Sequence, residues 1–208
     1  MKVEQFVMAY RGNHDEIKAL LPKGFESLRP VLRINAEILT DSKAGEQGTT
    51  YSYIELNTPV AHAGKRGWLN LGNWDSMSTN ISVSRKTESV SDGYFKTDAG
   101  EFVNRRESTE FEFDLLSLVH TGTGKEGGCP AENDNDGCFY MDGDEEEFRP
   151  AEKVSERKEY TDCTFEWRVK GDLPPIPLFR AIAIECEEIL GAYAVVFERA
   201  ESELKIFR

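Results

Sequence analysis

Two segments of this sequence alternate between apolar and polar residues, and this alternation restricts the fold more than any other feature. In the first segment, 31–39, the polar side chains that share one side of the chain are Arg33, Asn35 and Glu37. In the second, 49–57, the corresponding side chains are Tyr51, Tyr53, Glu55 and Asn57. Because successive residues of a strand point to opposite faces, each segment predicts a strand with one apolar and one hydrogen-bonding face.

The polar faces of these two strands leave two interpretations open. In a closed or sandwiched sheet, a polar face either contacts solvent or lines an internal pocket. The alternation itself favours neither interpretation. If the faces line a pocket, their carboxylate, amide and phenol groups are candidates for ligand binding and proton transfer.

Further alternating segments predict strands at 4–10, 68–71, 80–84, 108–116 and 163–170. A short helix is predicted directly after the strand 4–10. Asn13 is a good N-cap for it, and Glu16 completes a capping box. Segment 178–190 has helical spacing of its apolar residues, whereas 194–197 favours a strand, and periodicity does not decide where one gives way to the other.

Many strands with few short helices indicate an α+β, mainly β fold, built as a closed antiparallel β-barrel or a sandwich. We expect one domain over residues 1–208. Residues 121–147 are rich in Gly, Asp, Asn and Glu, and we expect them to form an acidic excursion on the surface of that domain.

The charge balance argues against a nucleic-acid partner, since the formal net charge is −13 and phosphate binding needs clustered Lys and Arg. No apolar stretch approaches the roughly 20 residues of a membrane span, and the N-terminus has no signal-peptide pattern. The four cysteines are then expected to be reduced thiols in a cytoplasmic protein.

Metal and nucleotide sites have little support in the sequence. The acidic run Glu132, Asp134, Asp136 imitates the start of a calcium loop, but Gly143 stands where the bidentate Glu is needed. Cys129 and Cys138 lack zinc-knuckle spacing. No phosphate-binding glycine loop or nucleophile-elbow motif is found. We therefore expect neither a metal nor a cofactor.

The first hundred residues contain an ordered series of motifs. They are Val7-Met8-Ala9-Tyr10-Arg11, Leu21-Pro22-Lys23-Gly24-Phe25-Glu26, Pro30-Val31-Leu32-Arg33, Tyr51 to Glu55 with Pro59-Val60, Gly64-Lys65-Arg66-Gly67-Trp68-Leu69, and Ile81-Ser82-Val83-Ser84-Arg85-Lys86. In order and spacing, this series resembles the acetoacetate decarboxylase family over roughly residues 3–100. The resemblance implies a β-rich fold and a lyase that decarboxylates a small β-keto acid through a lysine Schiff base.

The resemblance also implies a position for the nucleophilic lysine. An alignment without gaps places Asp92 and Gly93 at the family's two lysine positions. A four-residue insertion instead matches Tyr94-Phe95-Lys96 to the family's "Tyr-Pro-Lys", which makes Lys96 the candidate. Lys86 is a weaker second candidate. Such a lysine must be neutral to attack a ketone, so burial or a cationic neighbour has to lower its pKa.

The same resemblance implies the remaining site residues. Glu37 and Glu55 are the predicted catalytic carboxylates of the pocket. The predicted substrate-binding residues are Arg33, Asn35, Tyr53 and Arg85.

Two other functions are compatible with the residues. The same fold could be a small-ligand binding module without catalysis, or a non-decarboxylating lyase, dehydratase or cyclase that uses pocket carboxylates. In each case the expected partner is a small keto acid or acyl ligand, and the family resemblance suggests a homo-oligomer.

Overall fold

The computed structural model describes residues 1–41, 50–76, 80–89, 95–96, 102–103, 105–113, 116–128, 136–151, 157–170 and 177–199. Within these ranges lie fifteen strands and two short helices. In chain order they are β1 (Lys2–Arg11), α1 (His14–Lys18), β2 (Glu26–Ser27), β3 (Val31–Thr40), β4 (Thr50–His62), β5 (Lys65–Asp75), β6 (Ser82–Ser89), β7 (Phe95–Lys96), β8 (Phe102–Val103), β9 (Arg105–Glu112), β10 (Leu116–Gly122), β11 (Gly137–Asp142), β12 (Glu145–Pro150), β13 (Arg157–Tyr160), β14 (Cys163–Val169), α2 (Pro177–Ala183) and β15 (Glu188–Glu198).

The mainly β fold with few short helices is confirmed, and the predicted strands and first helix are present. The Asn13 side chain caps α1, since its Oδ1 accepts hydrogen bonds from the backbone nitrogens of Asp15 at 3.0 Å and Glu16 at 3.1 Å. These contacts satisfy two of the amides that a helix start leaves without intrahelical partners.

The strands form two packed layers. The large sheet has the order β12-β11-β5-β4-β3-β1-β15-β13, with β2 added beside β4, and the smaller sheet has the order β14-β10-β9-β6. The path of the large sheet ends at β12 and β13 without closing on itself. Among the described strands, the fold is therefore the sandwich form of the prediction and not the closed barrel. Strands β7 and β8 pair separately.

The apolar face of the large sheet packs against the smaller sheet. The apolar set of β3, Leu32, Ile34, Ala36 and Ile38, is almost fully buried in this core, as the alternation predicted. Phe6 of β1 meets Phe111 of β9 edge to face, with ring centroids 5.7 Å apart. Burying a side chain of this size contributes about 2 kcal/mol or more, so the interface between the layers is the main stabilising contact of the domain.

Three segments differ in detail from the sequence prediction. The strand predicted at 108–116 is two antiparallel strands, β9 and β10, and the Phe113 amide donates to the Leu116 carbonyl at 3.1 Å. Segment 178–190 is helical at its start and a strand at its end, because α2 ends at Ala183 and β15 begins at Glu188.

The third difference concerns the predicted acidic excursion. Its later part forms the hairpin β11–β12, which extends the large sheet through a parallel pairing of Cys138 with Trp68 and Phe139 with Leu69. Phe139 is fully buried, so this part is not a surface loop. The close approach requires glycine at position 67, where a Cβ atom would lie 2.4 Å from the Gly137 carbonyl oxygen.

Cys138, Cys163 and Cys186 are free thiols, in agreement with the sequence prediction for these three. Burial raises the pKa of Cys163 to about 11, which keeps its thiol protonated and unreactive. No helix in the described ranges is long and apolar enough to cross a membrane.

His120 of β10 is buried between the layers, with its ring 4.8 Å from that of Phe6 and 6.1 Å from that of Phe165. Its Nε2 has no hydrogen-bond partner among the described residues. Burial lowers the pKa of His120 from 6.5 to about 4. Below pH 6.5 the unfolded chain therefore takes up a proton that the folded chain does not.

We predict that this difference lowers the free energy of unfolding by about 3 kcal/mol between pH 6.5 and pH 4. Urea unfolding at both pH values should show that His120→Leu loses less stability on acidification than the wild-type protein. The control is Phe165→Leu, which alters the contact between residues 120 and 165 but keeps His120. This variant should lose as much free energy of unfolding on acidification as the wild-type protein does. An equal loss in the wild-type protein and His120→Leu would contradict the prediction.

Candidate functional site

The polar faces of β3 and β4 lie side by side on the face of the large sheet that points away from the smaller sheet. The register pairs Arg33 with Asn57, Asn35 with Glu55 and Glu37 with Tyr53. Five of these side chains, all except Arg33, are buried. Of the two interpretations that the sequence left open, solvent contact is thus excluded for these five residues.

Asn35 joins the two predicted catalytic carboxylates. Its Nδ2 donates to Glu55 Oε1 at 3.0 Å and to Glu37 Oε1 at 3.2 Å. A single amide nitrogen thus uses both of its hydrogens to hold two carboxyl groups on one face. The amide oxygen, Oδ1, is buried without a hydrogen-bond partner among the described residues.

Glu37 is also held from strand β1 and from the end of β15. Gln5 Nε2 donates to Glu37 Oε1 at 2.6 Å, and the Arg199 guanidinium lies 3.5 Å from Glu37 Oε2. Burial raises the pKa of Glu37, and the neighbouring Glu55 carboxyl raises it further, while Arg199 opposes the shift. Glu37 consequently keeps its proton to a higher pH than an exposed glutamate does.

Glu55 accepts hydrogen bonds from β4 and β5 as well as from Asn35. The Tyr53 hydroxyl donates to Glu55 Oε2 at 3.1 Å, and Asn70 Nδ2 donates to the same oxygen at 3.2 Å. Burial, together with the adjacent Glu55 carboxyl, raises the pKa of Tyr53 far above its ordinary value. The Tyr53 phenol therefore stays protonated and acts as a donor.

The hairpin β11–β12 adds an aromatic and a cationic group to this face. The guanidinium of Arg149 lies 4.4 Å from the centroid of the Tyr140 ring. Burial raises the pKa of Tyr140, and the Glu55 carboxyl is the next largest cause. The parallel pairing of Phe139 with Leu69 places Tyr140 beside Asn70, so the hairpin β11–β12 adds to the cluster.

The structure does not bring every predicted site residue to this cluster. Arg85 lies in β6 of the smaller sheet, where it pairs with Thr109 across the sheet and forms an exposed ion pair with Glu4 at 2.8 Å. Lys86 is exposed on the same strand. Lys96 lies in β7 opposite Phe102, and its side chain is outside the part of the chain that the structure describes.

Several cluster residues were not among the sequence candidates: Gln5, Asn70, Tyr140, Arg149 and Arg199. Gln5 and Asn70 could have been found, because each is a polar residue within a strand that the sequence predicted. Tyr140 and Arg149 lie in or next to a segment whose composition reads as a loop. Arg199 reaches Glu37 only through the pairing of the two ends of the chain, which no local pattern reveals.

Chemically, the cluster combines two carboxyl groups, two phenols held protonated and amide donors in a buried setting. A carboxyl group that retains its proton is a candidate acid, and a neighbouring carboxylate is a candidate base. The described residues thus provide proton donors and acceptors on one face, which suits proton transfer to or from a bound ligand.

Comparison with known proteins gives a structural likeness only. No family model and no curated protein matches the sequence. Among solved structures, the enduracididine biosynthesis enzyme MppR matches with a TM-score of 0.59 and 14% identity, covering 94% of this chain and 81% of that one. An acetoacetate decarboxylase-like enzyme from Sphingomonas wittichii RW1 matches with a TM-score of 0.57 and 13% identity, covering 94% and 88%.

The acetoacetate decarboxylase of Legionella pneumophila subsp. pneumophila str. Philadelphia 1 matches with a TM-score of 0.55 and 13% identity, covering 94% of this chain and 81% of that one. Fold can persist at this level of identity while active-site residues change, so the likeness extends to the fold and not to the reaction. With its two layers of sheet and its sequence motifs, the chain has the acetoacetate decarboxylase-like fold in a strongly divergent form.

Proposed function

We propose that the protein is a lyase acting on a small keto acid, with the buried pair Glu37 and Glu55 performing proton transfer. The observation that supports this most is the double hydrogen bond from Asn35 to both carboxyl groups. Burying two acidic groups together is unfavourable unless they are paired and hydrogen-bonded, and such arrangements concentrate at functional sites.

The substrate class is suggested by proteins of the same fold. The enduracididine biosynthesis enzyme MppR has been solved with bound pyruvate, and also with the condensation product of pyruvate and imidazole 4-carboxaldehyde. Acetoacetate decarboxylase takes its name from a β-keto acid. Pyruvate and acetoacetate both carry a ketone and a carboxylate a few bonds apart. We therefore propose a small keto acid as the substrate of this chain.

In the proposed reaction, the bond between the α-carbon and the carboxylate of a β-keto acid breaks, and CO₂ leaves. The electron pair of that bond moves toward the ketone and gives an enolate. A proton then replaces CO₂ at the α-carbon. Glu37 is the proposed proton donor, because burial raises its pKa, and Glu55 orients the substrate or accepts a proton.

A covalent form of this reaction uses Lys96. Its amine would attack the ketone, lose water and form an iminium that accepts the electron pair more readily than the ketone does. The observation in favour is the position of Lys96 on a short strand that follows β6 in the chain, with the motif Tyr94-Phe95-Lys96. The carboxyl pair would then exchange protons with the iminium intermediate.

The first prediction concerns the carboxyl pair. Glu37→Gln and Glu55→Gln should each lower kcat/KM for a keto acid by about 100-fold or more, because a neutral amide cannot transfer the proton. Stopped assays for CO₂ release or substrate loss would measure this effect. Glu4→Gln is the matched control, since Glu4 lies on the same sheet but pairs with Arg85 away from the cluster.

Wild-type activity in both Glu37→Gln and Glu55→Gln would contradict an acid–base role for the pair. If the wild-type protein consumes no keto acid yet is stabilised by one, the binding-module alternative holds. The expected stabilisation in that case is about 2.7 kcal/mol at a ligand concentration of 100 times Kd.

The second prediction separates the covalent from the non-covalent mechanism. If Lys96 forms an iminium, borohydride reduction in the presence of acetoacetate or pyruvate should add the mass of the reduced substrate adduct to the intact protein. Peptide mapping should place the adduct on Lys96, and Lys96→Ala should abolish it. Lys86→Ala is the control and should retain the adduct.

No adduct with any keto acid, together with turnover that survives in Lys96→Ala, would overturn the covalent mechanism. The carboxyl pair would remain as the source of acid–base catalysis. Loss of turnover in Lys96→Ala without any adduct would also contradict an iminium, since reduction should trap it.

A further inference from the structure

Two hydrogen-bond donors without partners among the described residues lie at the end of the polar face formed by Asn57 and Trp68. The indole nitrogen Nε1 of Trp68 and the amide nitrogen Nδ2 of Asn57 are both buried, and neither has a hydrogen-bond partner among the described residues. Trp68 is 2% exposed and Asn57 is fully buried. A buried donor without an acceptor costs free energy, so two on neighbouring strands of one sheet call for an explanation.

The orientation of the Asn57 amide is fixed by its neighbour. Asn57 Oδ1 accepts from Asn70 Nδ2 at 3.4 Å, and Asn70 Nδ2 also donates to Glu55 Oε2 at 3.2 Å. With its oxygen engaged toward Asn70, the Asn57 amide presents its nitrogen elsewhere. The indole N–H of Trp68 can only donate.

Two arginine side chains lie next to the Trp68 ring. Arg33 is the cross-strand partner of Asn57, and its guanidinium carbon lies 4.0 Å from the centroid of the Trp68 ring. The guanidinium carbon of Arg29 lies 5.9 Å from the same ring. Two guanidinium groups thus lie next to the ring that carries one of the two neutral donors, and cations combined with N–H donors favour an anion.

We propose that Arg33, Asn57 and Trp68 form a subsite for the carboxylate of the ligand. This inference rests on the proposed function and specifies how the substrate is oriented. The carboxylate supplies acceptors to the Trp68 and Asn57 donors and lies beside the Arg33 guanidinium. Asn70 spans the distance between this subsite and Glu55, since it contacts both Asn57 and Glu55.

The short distance between the carboxylate subsite and the carboxyl pair defines the ligand class. One amide side chain, that of Asn70, links the subsite to the catalytic carboxyl pair, so the carboxylate and the reacting carbon lie within a few bonds of each other. A short keto acid with a free carboxylate fits this spacing. A neutral ketone or an ester of the same acid lacks the charge that the subsite recognises.

The test compares Trp68→Phe with the wild-type protein. Phenylalanine keeps the aromatic ring beneath Arg33 and removes the N–H donor alone. Isothermal titration with pyruvate should show Kd increased about tenfold in Trp68→Phe, the effect of losing one hydrogen bond to a charged group. Methyl pyruvate, which has no free carboxylate, should bind both proteins with the same Kd.

Arg33→Met provides a second variant in case Trp68→Phe fails to fold, as judged by urea unfolding of both proteins. It should weaken pyruvate binding more strongly than Trp68→Phe and again leave methyl pyruvate unaffected. Unchanged pyruvate affinity in a folded variant would overturn the subsite, and so would a wild-type protein that binds neither pyruvate nor acetate.

The subsite and the proposed function can fail separately. If pyruvate affinity does not depend on Trp68 or Arg33 while Glu37→Gln abolishes turnover, the subsite is wrong and the lyase proposal stands. If acetate and pyruvate bind with the predicted dependence on Trp68 but no keto acid is turned over, the subsite stands and the lyase proposal fails.

Discussion

The hydrogen bonds from Asn35 to Glu37 and Glu55 are the contacts on which the polar side of this domain depends. They allow two acidic side chains to be buried on neighbouring strands, where unpaired carboxylates would be strongly unfavourable. Gln5, Tyr53 and Asn70 donate to the same carboxyl groups from three strands. Four strands of the large sheet thus hold one network of proton donors and acceptors.

The arrangement follows from the alternation of β3 and β4. Their apolar side chains pack against the smaller sheet, which fixes the register of the strands, because a shift by one residue would exchange the two faces. The same register sets Asn35 opposite Glu55 and Arg33 opposite Asn57. The packing of the core therefore positions both the carboxyl pair and the donors of Asn57 and Trp68 through the register of the strands.

The strands and the shared faces were predictable because alternation is a local property of the sequence. Asn35, Glu37, Tyr53 and Glu55 were predicted as site residues, and the structure places these four together. The hairpin β11–β12 was not predicted, because its many Gly, Asp and Glu residues resemble a loop, and its buried contact is provided mainly by Phe139. Arg85, predicted with the same set, lies in the smaller sheet, because motif order along the chain does not reveal which sheet a strand joins.

The acetoacetate decarboxylase-like fold and the reaction are separate matters here, since the fold can support different chemistry when side chains change. What this chain carries on its described face is a carboxyl pair, phenols kept protonated by burial, and a donor-rich end next to Arg33. In the proposed function, these groups bind a small keto acid and transfer protons whether or not Lys96 becomes covalently attached.

The most direct test of the central claim, that the polar face of β3, β4 and β5 is the ligand site, is a crystal structure of the protein with pyruvate. The account predicts pyruvate on this face, with its carboxylate at Trp68 and Asn57 and its ketone toward Glu55. Pyruvate bound elsewhere on the protein, with this face containing only water, would contradict the account.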